Sequence, residues 1–265
     1  MSTGWGWMIE VRDIVKRFGG LLAVDHCSLG VSTGSITGLI GPNGAGKSTL
    51  FNIVAGFLKP TSGQILLEGV DVTGTPPHEL FGKGLVRTFQ IPHELARMTV
   101  LENLMLVPAD QSGENLLRAW LMPGRTRTDE ARVRQRAFEV LEMLQLSKLR
   151  HELAGNLSGG QKKLLEIGRT MMAQPRIVLL DEPGAGVNRT LLADISDVIQ
   201  RLNRESGYTF CIIEHDMDLI AKLCDPIICM AQGRVLAEGT MAEIRANEAV
   251  LEAYFGGGAA RAADA

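Results

Sequence analysis

Alternation dominates the start of the chain. Between Met8 and Val31 apolar residues recur at every second position over long stretches, the pattern of strands with one buried face, and two strands are expected there. Ser35–Ile40 is short and apolar and ends at Gly41, as a strand buried on both faces would. A glycine-rich turn follows and the period changes. Leu50, Phe51 and Val54 fall at helical spacing between Lys47 and Ala55, and Gly56 stands where a helix stop belongs. Pro60-Thr61-Ser62-Gly63 reads as a turn before a strand at Gln64–Leu67.

Beyond residue 90 the texture shifts. Thr99-Val100-Leu101-Glu102 is a capping box that opens an apolar helix, while Asp110–Arg127 is polar, broken by Gly and Pro, and poorly periodic. Glu130–Leu146 is amphipathic, with Ala137, Val140, Leu141 and Leu144 on one face and arginines forming a solvated face elsewhere. These features predict an inserted helical subdomain at about 92–157. After Gln161 a helix to Ala173, a break at Pro175, a strand Ile177–Leu180, a helix Thr190–Glu205 and a strand Tyr208–Ile213 restore the β-α-β rhythm of a buried parallel sheet. The last ten residues, 256–265, begin with three glycines and offer nothing to pack, so a flexible tail is expected.

The composition narrows the function. With 265 residues, 45% of them hydrophobic and 22% charged, the chain can build a core with an insertion and is not intrinsically disordered. A net charge of −3 argues against a protein that grips nucleic-acid phosphates, and no nucleic-acid partner is expected. No apolar run approaches the ~18 residues that cross a bilayer, and the first residues lack a secretory signal, so a cytosolic chain is expected. Cys27, Cys211, Cys224 and Cys229 form no CxxC pair and read as buried thiols rather than a zinc site or disulfides.

Chemistry enters at residue 41. Gly41-Pro42-Asn43-Gly44-Ala45-Gly46-Lys47-Ser48-Thr49 fits G-x-x-x-x-G-K-[ST] between an expected strand and an expected helix. Glycines let successive N–H groups turn inward on a β-phosphate, Lys47 can reach the β- and γ-phosphates, and the Ser48 hydroxyl can ligate Mg²⁺. Ile177-Val178-Leu179-Leu180-Asp181-Glu182 alone could be any buried strand running into a polar loop. Paired with the glycine loop it becomes a Walker B element. A Mg²⁺-nucleotide needs a carboxylate at the carboxyl end of a neighbouring parallel strand, so Asp181 is the candidate metal ligand and Glu182 the candidate general base.

Leu157-Ser158-Gly159-Gly160-Gln161 by itself reads as a loop and helix N-cap. Taken in order with the glycine loop, Gln90, the Asp181-Glu182 pair and His215, it resembles the ATP-binding subunits of ABC (ATP-binding cassette) transporters over about residues 8–255. The fold so implied is α/β: a P-loop NTPase core with a mostly parallel sheet, an N-terminal antiparallel β-subdomain and the inserted helical subdomain, the core being residues 1–91 and 158–255. The resemblance implies a head-to-tail pair of cassettes, each ATP held between the loop of one and Ser158, Gly159, Gly160 and Gln161 of the other. The N–H groups after Ser158 and the positive end of their helix suit such an anion. It further implies that Gln90 meets Mg²⁺ or water, that His215 contacts the γ-phosphate, and that Phe18 stacks on adenine, although a plain core Phe remains an alternative. Many family members carry Asp and Pro at the positions of Asn188 and Arg189.

Arg87-Thr88-Phe89-Gln90, Gly41-Pro42-Asn43 and Ala253-Tyr254-Phe255-Gly256 resemble the ATPases of branched-chain amino acid importers and their relatives. That resemblance implies a second cassette, identical or homologous, two transmembrane permease subunits, a periplasmic solute-binding protein acting indirectly, and a peripheral place on the cytoplasmic face of the inner membrane. A lipid or lipopolysaccharide exporter ATPase and a soluble cassette of the iron–sulfur assembly type carry the same motifs and stand as alternatives.

Overall fold

The computed structural model describes residues 6–88, 94–108 and 123–261. In chain order the elements are β1 (Trp7–Phe18), β2 (Leu21–Ser32), β3 (Ile36–Ile40), α1 (Lys47–Val54), β4 (Ser62–Leu67), β5 (Val70–Asp71), α2 (Pro77–Gly82), β6 (Leu85–Arg87) and α3 (Val100–Met105). They continue with α4 (Pro123–Met143), α5 (Gly159–Met172), β7 (Ile177–Asp181), α6 (Arg189–Ser206), β8 (Thr209–Ile213), α7 (Met217–Leu223), β9 (Ile227–Ala231), β10 (Arg234–Gly239), α8 (Met241–Ala246) and α9 (Glu248–Arg261). The chain divides into two units, Met1–Arg87 with Arg176–Gly184 and Ile199–Ala265, and Thr88–Pro175 with Ala185–Val198.

The first unit holds two sheets. One is antiparallel, in the order β2-β1-β4-β5; the other runs β10-β9-β3-β8-β7-β6 and is parallel except for the β10 edge. One apolar cluster joins Val11 and Ile14 of β1 and Leu39 of β3 to Leu50, Phe51 and Ile53 of α1 and Leu179 of β7. Every residue of β3, β7 and β8 is buried, which is why these strands are apolar on both faces instead of alternating, with Thr37, Asp181 and Thr209 as their polar members. On β8, Cys211 and Ile213 face this cluster, while Phe210 and Ile212 are buried outside it. Burying a side chain of this size stabilises the fold by about 1.5–3 kcal/mol, so the strands that carry the site's loops are anchored by many such increments.

The strand order decides where a ligand goes. β3 and β7 lie on either side of β8, with Leu39 and Asp181 both in register with Ile213. The chain therefore leaves β3 at Gly41, β7 at Glu182 and β8 at Glu214 along one carboxyl edge of the sheet, the place where open parallel sheets bind ligands.

In the second unit α3 starts at the expected capping box: Thr99 Oγ1 accepts from the Glu102 N–H, and a Glu102 carboxylate oxygen accepts from the Thr99 N–H at 2.7 Å. Ala137, Val140, Leu141 and Leu144 are all buried. Gly168 of α5 makes their close packing possible, because a Cβ there would stand 2.6 Å from Leu144 Cδ1 and 3.1 Å from Leu104 Cδ2.

Three expectations need correction. The α4 helix is present from Pro123, the first described residue of this segment, and not only from Glu130, so the final residues of the stretch read as irregular are helical. The pattern past Ile213 left β9 and β10 unassigned, and β9 is the direct neighbour of β3. The backbone of α9 is helical to Arg261, through the glycines where a tail was expected; each Gly costs a helix about 1 kcal/mol, and the alanines that follow are the strongest helix formers.

Candidate functional site

The loop after β3 is built by glycine geometry. Gly41, Gly44 and Gly46 have φ of 148°, 81° and 96°. A Cβ on Gly41 would meet Met230 O at 2.1 Å, and one on Gly46 would meet Ala23 O at 2.5 Å, so neither position accepts a side chain. Gly46 is the N-cap of α1 and supplies no side-chain cap, which leaves the first-turn N–H groups to a ligand. Pro42, Asn43 and Gly44 form the loop's turn, Ala45 is buried beneath it, and Ser48 and Thr49 follow Lys47 in the first turn, with Ser48 exposed. The buried Lys47 ammonium donates to Gly41 O at 2.7 Å and Pro42 O at 3.1 Å. Burial pulls its pKa down, and the negative charges of Glu182 and Asp181 oppose that pull. The loop lysine and both candidate carboxylates thus act on one another.

Asp181 closes β7 in a tight, dry setting. Its Oδ2 accepts from Arg87 Nη2 at 2.8 Å, with the two side chains 4% and 7% exposed. Its Oδ1 is buried without a hydrogen-bond partner among the described residues. A buried carboxylate oxygen left open costs free energy unless a cation or an ordered water meets it. A hard divalent cation chooses such a donor, and the hydroxyl of Ser48 is of the same hard, oxygen type, so these residues fit Mg²⁺.

Glu182 leaves the strand with φ 50°, and its N–H donates to Ile213 O at 2.9 Å. That left-handed residue turns the chain so that Asp181 and Glu182 need not point to opposite faces. Glu182 Oε1 lies 3.0 Å from His215 Nε2, in a carboxylate–imidazole pair in reach of solvent. Glu214 ties the two loops together: its buried carboxylate accepts from the Gly184 N–H, two residues past Glu182, at 2.6 Å and from the His215 N–H at 2.9 Å. The arrangement can accept a proton from a bound water at Glu182 while His215 holds the carboxylate in place.

Tyr254 of α9 also meets the loop. The Gly41 N–H lies near its phenol oxygen and favours the ionised form, but burial outweighs it and pushes the phenol up to about 12. Phe18 is 45% exposed with Lys16 Nζ 5.1 Å from its ring centroid, so the core alternative for this residue is excluded. Gln90 lies outside the described residues. All four cysteines are buried and free, and burial raises each thiol, Cys27 and Cys211 to about 12 and Cys229 to about 11.

In the second unit, Ser158 is the N-cap of α5 in a complete capping box: Ser158 Oγ accepts from the Gln161 N–H at 3.3 Å, and Gln161 Oε1 accepts from the Ser158 N–H at 2.9 Å. The N-cap reading of this segment is therefore correct whatever else the segment does. A Cβ on Gly159 would meet open space, whereas one on Gly160 would collide with Leu191 at 1.4 Å. Asn188 has a local task as well: its Oδ1 accepts from the Leu191 N–H at 2.9 Å and caps α6 as Asp would.

A family model described as ABC transporter matches residues 24–185. The chain belongs to the ABC transporter family. A second model, described as branched-chain amino acid ATP-binding cassette transporter, matches residues 234–260 of this cassette. Over 249 residues the cassette is 43% identical to a probable branched-chain amino acid transport ATP-binding protein LivG of Archaeoglobus fulgidus, covering 94% of this chain and 95% of that protein. Among solved structures it is similar to a nucleotide-free ATP-binding cassette of an ABC transporter (TM-score 0.81, 40% identity, 94% and 99% of the two chains covered). It is also similar to an ATP-binding cassette in an ADP conformation (TM-score 0.79, 39% identity, 94% and 99% covered). The expected α/β P-loop fold is thereby borne out, and the cassette is an ATP-binding, ATP-hydrolysing subunit coupled to membrane transport.

Reading the motifs singled out Lys47, Asp181 and Glu182 but gave no task to Asn52, Arg87, Glu214 or Tyr254. Arg87 and Tyr254 entered only as marks of a subfamily. The one local signal for Arg87 was a cation closing an apolar three-residue strand.

Proposed function

We propose that this cassette powers the import of branched-chain amino acids or related small polar solutes. In this reading it works as one of two cassettes docked against two membrane-spanning permease subunits at the cytoplasmic face of the membrane, with a solute-binding protein delivering cargo from outside. Residues 1–91 and 158–255 serve as the ATPase core and 92–157 as the helical subdomain that meets the permease. The observation that carries the catalytic part is the shared carboxyl edge: a glycine loop with a buried lysine, a buried carboxylate with one open oxygen, and a carboxylate–imidazole pair leave three neighbouring strands together. The solute class rests on the similarity to LivG and on the match at residues 234–260.

In the proposed cycle the N–H groups of Gly44, Gly46 and Lys47 cradle the β-phosphate, the Lys47 ammonium moves from the Gly41 and Pro42 carbonyls onto the β- and γ-phosphates, and Phe18 stacks on the adenine. Ser48, Asp181 and Gln90 would hold Mg²⁺, which when bound would neutralise charge on the β- and γ-oxygens. Glu182 takes the proton as a water oxygen attacks the γ-phosphorus and the bond to the bridging oxygen of ADP breaks; His215 keeps Glu182 aimed. Ser158, Gly159, Gly160 and Gln161 of a second cassette complete the γ-phosphate site.

The test is reconstitution with the two permease subunits in proteoliposomes. ATP-dependent uptake of leucine, isoleucine or valine, absent with Glu182→Gln, is the expected outcome. Uptake of none of these, with robust uptake of a sugar or lipid, would overturn the solute assignment.

A further inference from the structure

Arg87 sits where two elements of the site meet. Its Nη2 donates to Asp181 Oδ2 at 2.8 Å and its Nη1 donates to Asn52 Oδ1 at 2.6 Å. Asp181 ends β7. Asn52 lies on α1 four residues after Ser48, and so on the same face of that helix. The guanidinium therefore spans the strand that presents Asp181 and the helix that presents Ser48. The rings of Phe51 and Phe57 flank it, at 6.0 and 5.8 Å from Cζ to the ring centroids, and the side chain is 7% exposed. This is a built setting for one planar fork, which an ammonium cannot copy.

We propose that Arg87 is a positioning residue for Mg²⁺. By tying down Oδ2 it fixes the carboxylate plane of Asp181 and leaves Oδ1, buried and without a partner among the described residues, as the oxygen offered to the metal. By holding Asn52 it also sets the distance between the two elements that carry the metal's candidate ligands. A plain structural ion pair would need the charge alone; this role needs the fork. The proposal rests on the reading of Asp181 as a Mg²⁺ ligand.

The test uses the purified full chain and a fluorescent ATP analogue. The analogue's affinity is measured without metal, in EDTA, and then across buffered Mg²⁺ concentrations to give a half-saturating value. Arg87→Lys keeps the charge and loses the fork. It is expected to raise the half-saturating Mg²⁺ about 10- to 100-fold, the usual effect of removing an outer partner of a metal ligand, with metal-free affinity unchanged. An unmoved Mg²⁺ value, or an equal loss of metal-free affinity, overturns the proposal. Should Arg87→Lys fail to fold, Asn52→Ala decides: a smaller rise in the same direction upholds the proposal, and none overturns it. Asp181→Asn separates the two layers. If it leaves the Mg²⁺ value unmoved, the ligand reading falls and the Arg87 role with it; if it moves the value and Arg87→Lys does not, the Arg87 role alone falls.

Discussion

Two glycine-bearing loops each open onto a helix N-terminus, and they are finished in opposite ways. Before α1 the N-cap is Gly46, which brings no side chain, and the next residue is a buried lysine held by loop carbonyls. Before α5 the N-cap is Ser158, whose capping box with Gln161 occupies donors that the first helix leaves open. A set of open N–H groups with its own cation can capture a phosphate unaided. A neutral, self-capped turn is stable without a ligand and has less to offer one. The difference suits a division of labour in which the first loop captures nucleotide and the second only adds to a nucleotide already held.

The largest effect that can break this comparison is catalytic. Glu182→Gln should lower hydrolysis ~10²–10⁴-fold while ATP affinity is kept, because Gln can hydrogen-bond the attacking water but cannot take its proton. With hydrolysis blocked, gel filtration with ATP and Mg²⁺ should show pairing with itself or with a homologous cassette, and adding Ser158→Arg should abolish the pair. Pairing that survives Ser158→Arg would deny the second loop any part in it.

Next in size, Lys47→Ala should weaken ATP binding to the isolated chain about 100-fold by calorimetry, since charge-assisted contacts to phosphate are the strong ones. Ser158→Ala should leave that affinity unchanged. Equal losses in the two variants would erase the distinction between the loops.

Stability sharpens the comparison further. Gly46→Ala places a Cβ at φ 96° and 2.5 Å from a backbone oxygen, and thermal unfolding should report a loss of about 1–3 kcal/mol. Gly159→Ala meets open space and should stay within about 0.5 kcal/mol of the parent. Smallest of the measurable losses, Ser158→Ala should cost about 1 kcal/mol through the cap alone. A neutral Ser158→Ala would mean that the box contributes nothing and that the second loop is as open as the first.

What the sequence disclosed follows the range of the interactions involved. The capping box at Thr99, the turn at Gly56 and the glycine loop itself lie within a few residues, so their chemistry is written in order along the chain. The partnership of Arg87 with Asp181 spans 94 positions and that of Glu214 with Gly184 spans 30; both arise from strand order, which no local period encodes. The continuation of α9 through Gly256-Gly257-Gly258 was hidden because propensity opposes it. Asn188 was visible as a departure from the commoner Asp, yet its task as a cap became legible only once α6 was seen to start at Arg189.

The contact between Tyr254 and Gly41 makes the last helix a spectroscopic handle on the nucleotide loop. The chain contains two tyrosines, Tyr208 and Tyr254. Tyr208 is buried, with its ring 6.4 Å from that of Phe210. Uniform fluorotyrosine labelling would therefore give two ¹⁹F resonances, an internal reference buried just before β8 and a reporter whose ring oxygen lies near the first glycine of the loop. Nucleotide capture becomes observable as the shift of one line against the other, with no cysteine chemistry and no change to any residue that meets ATP.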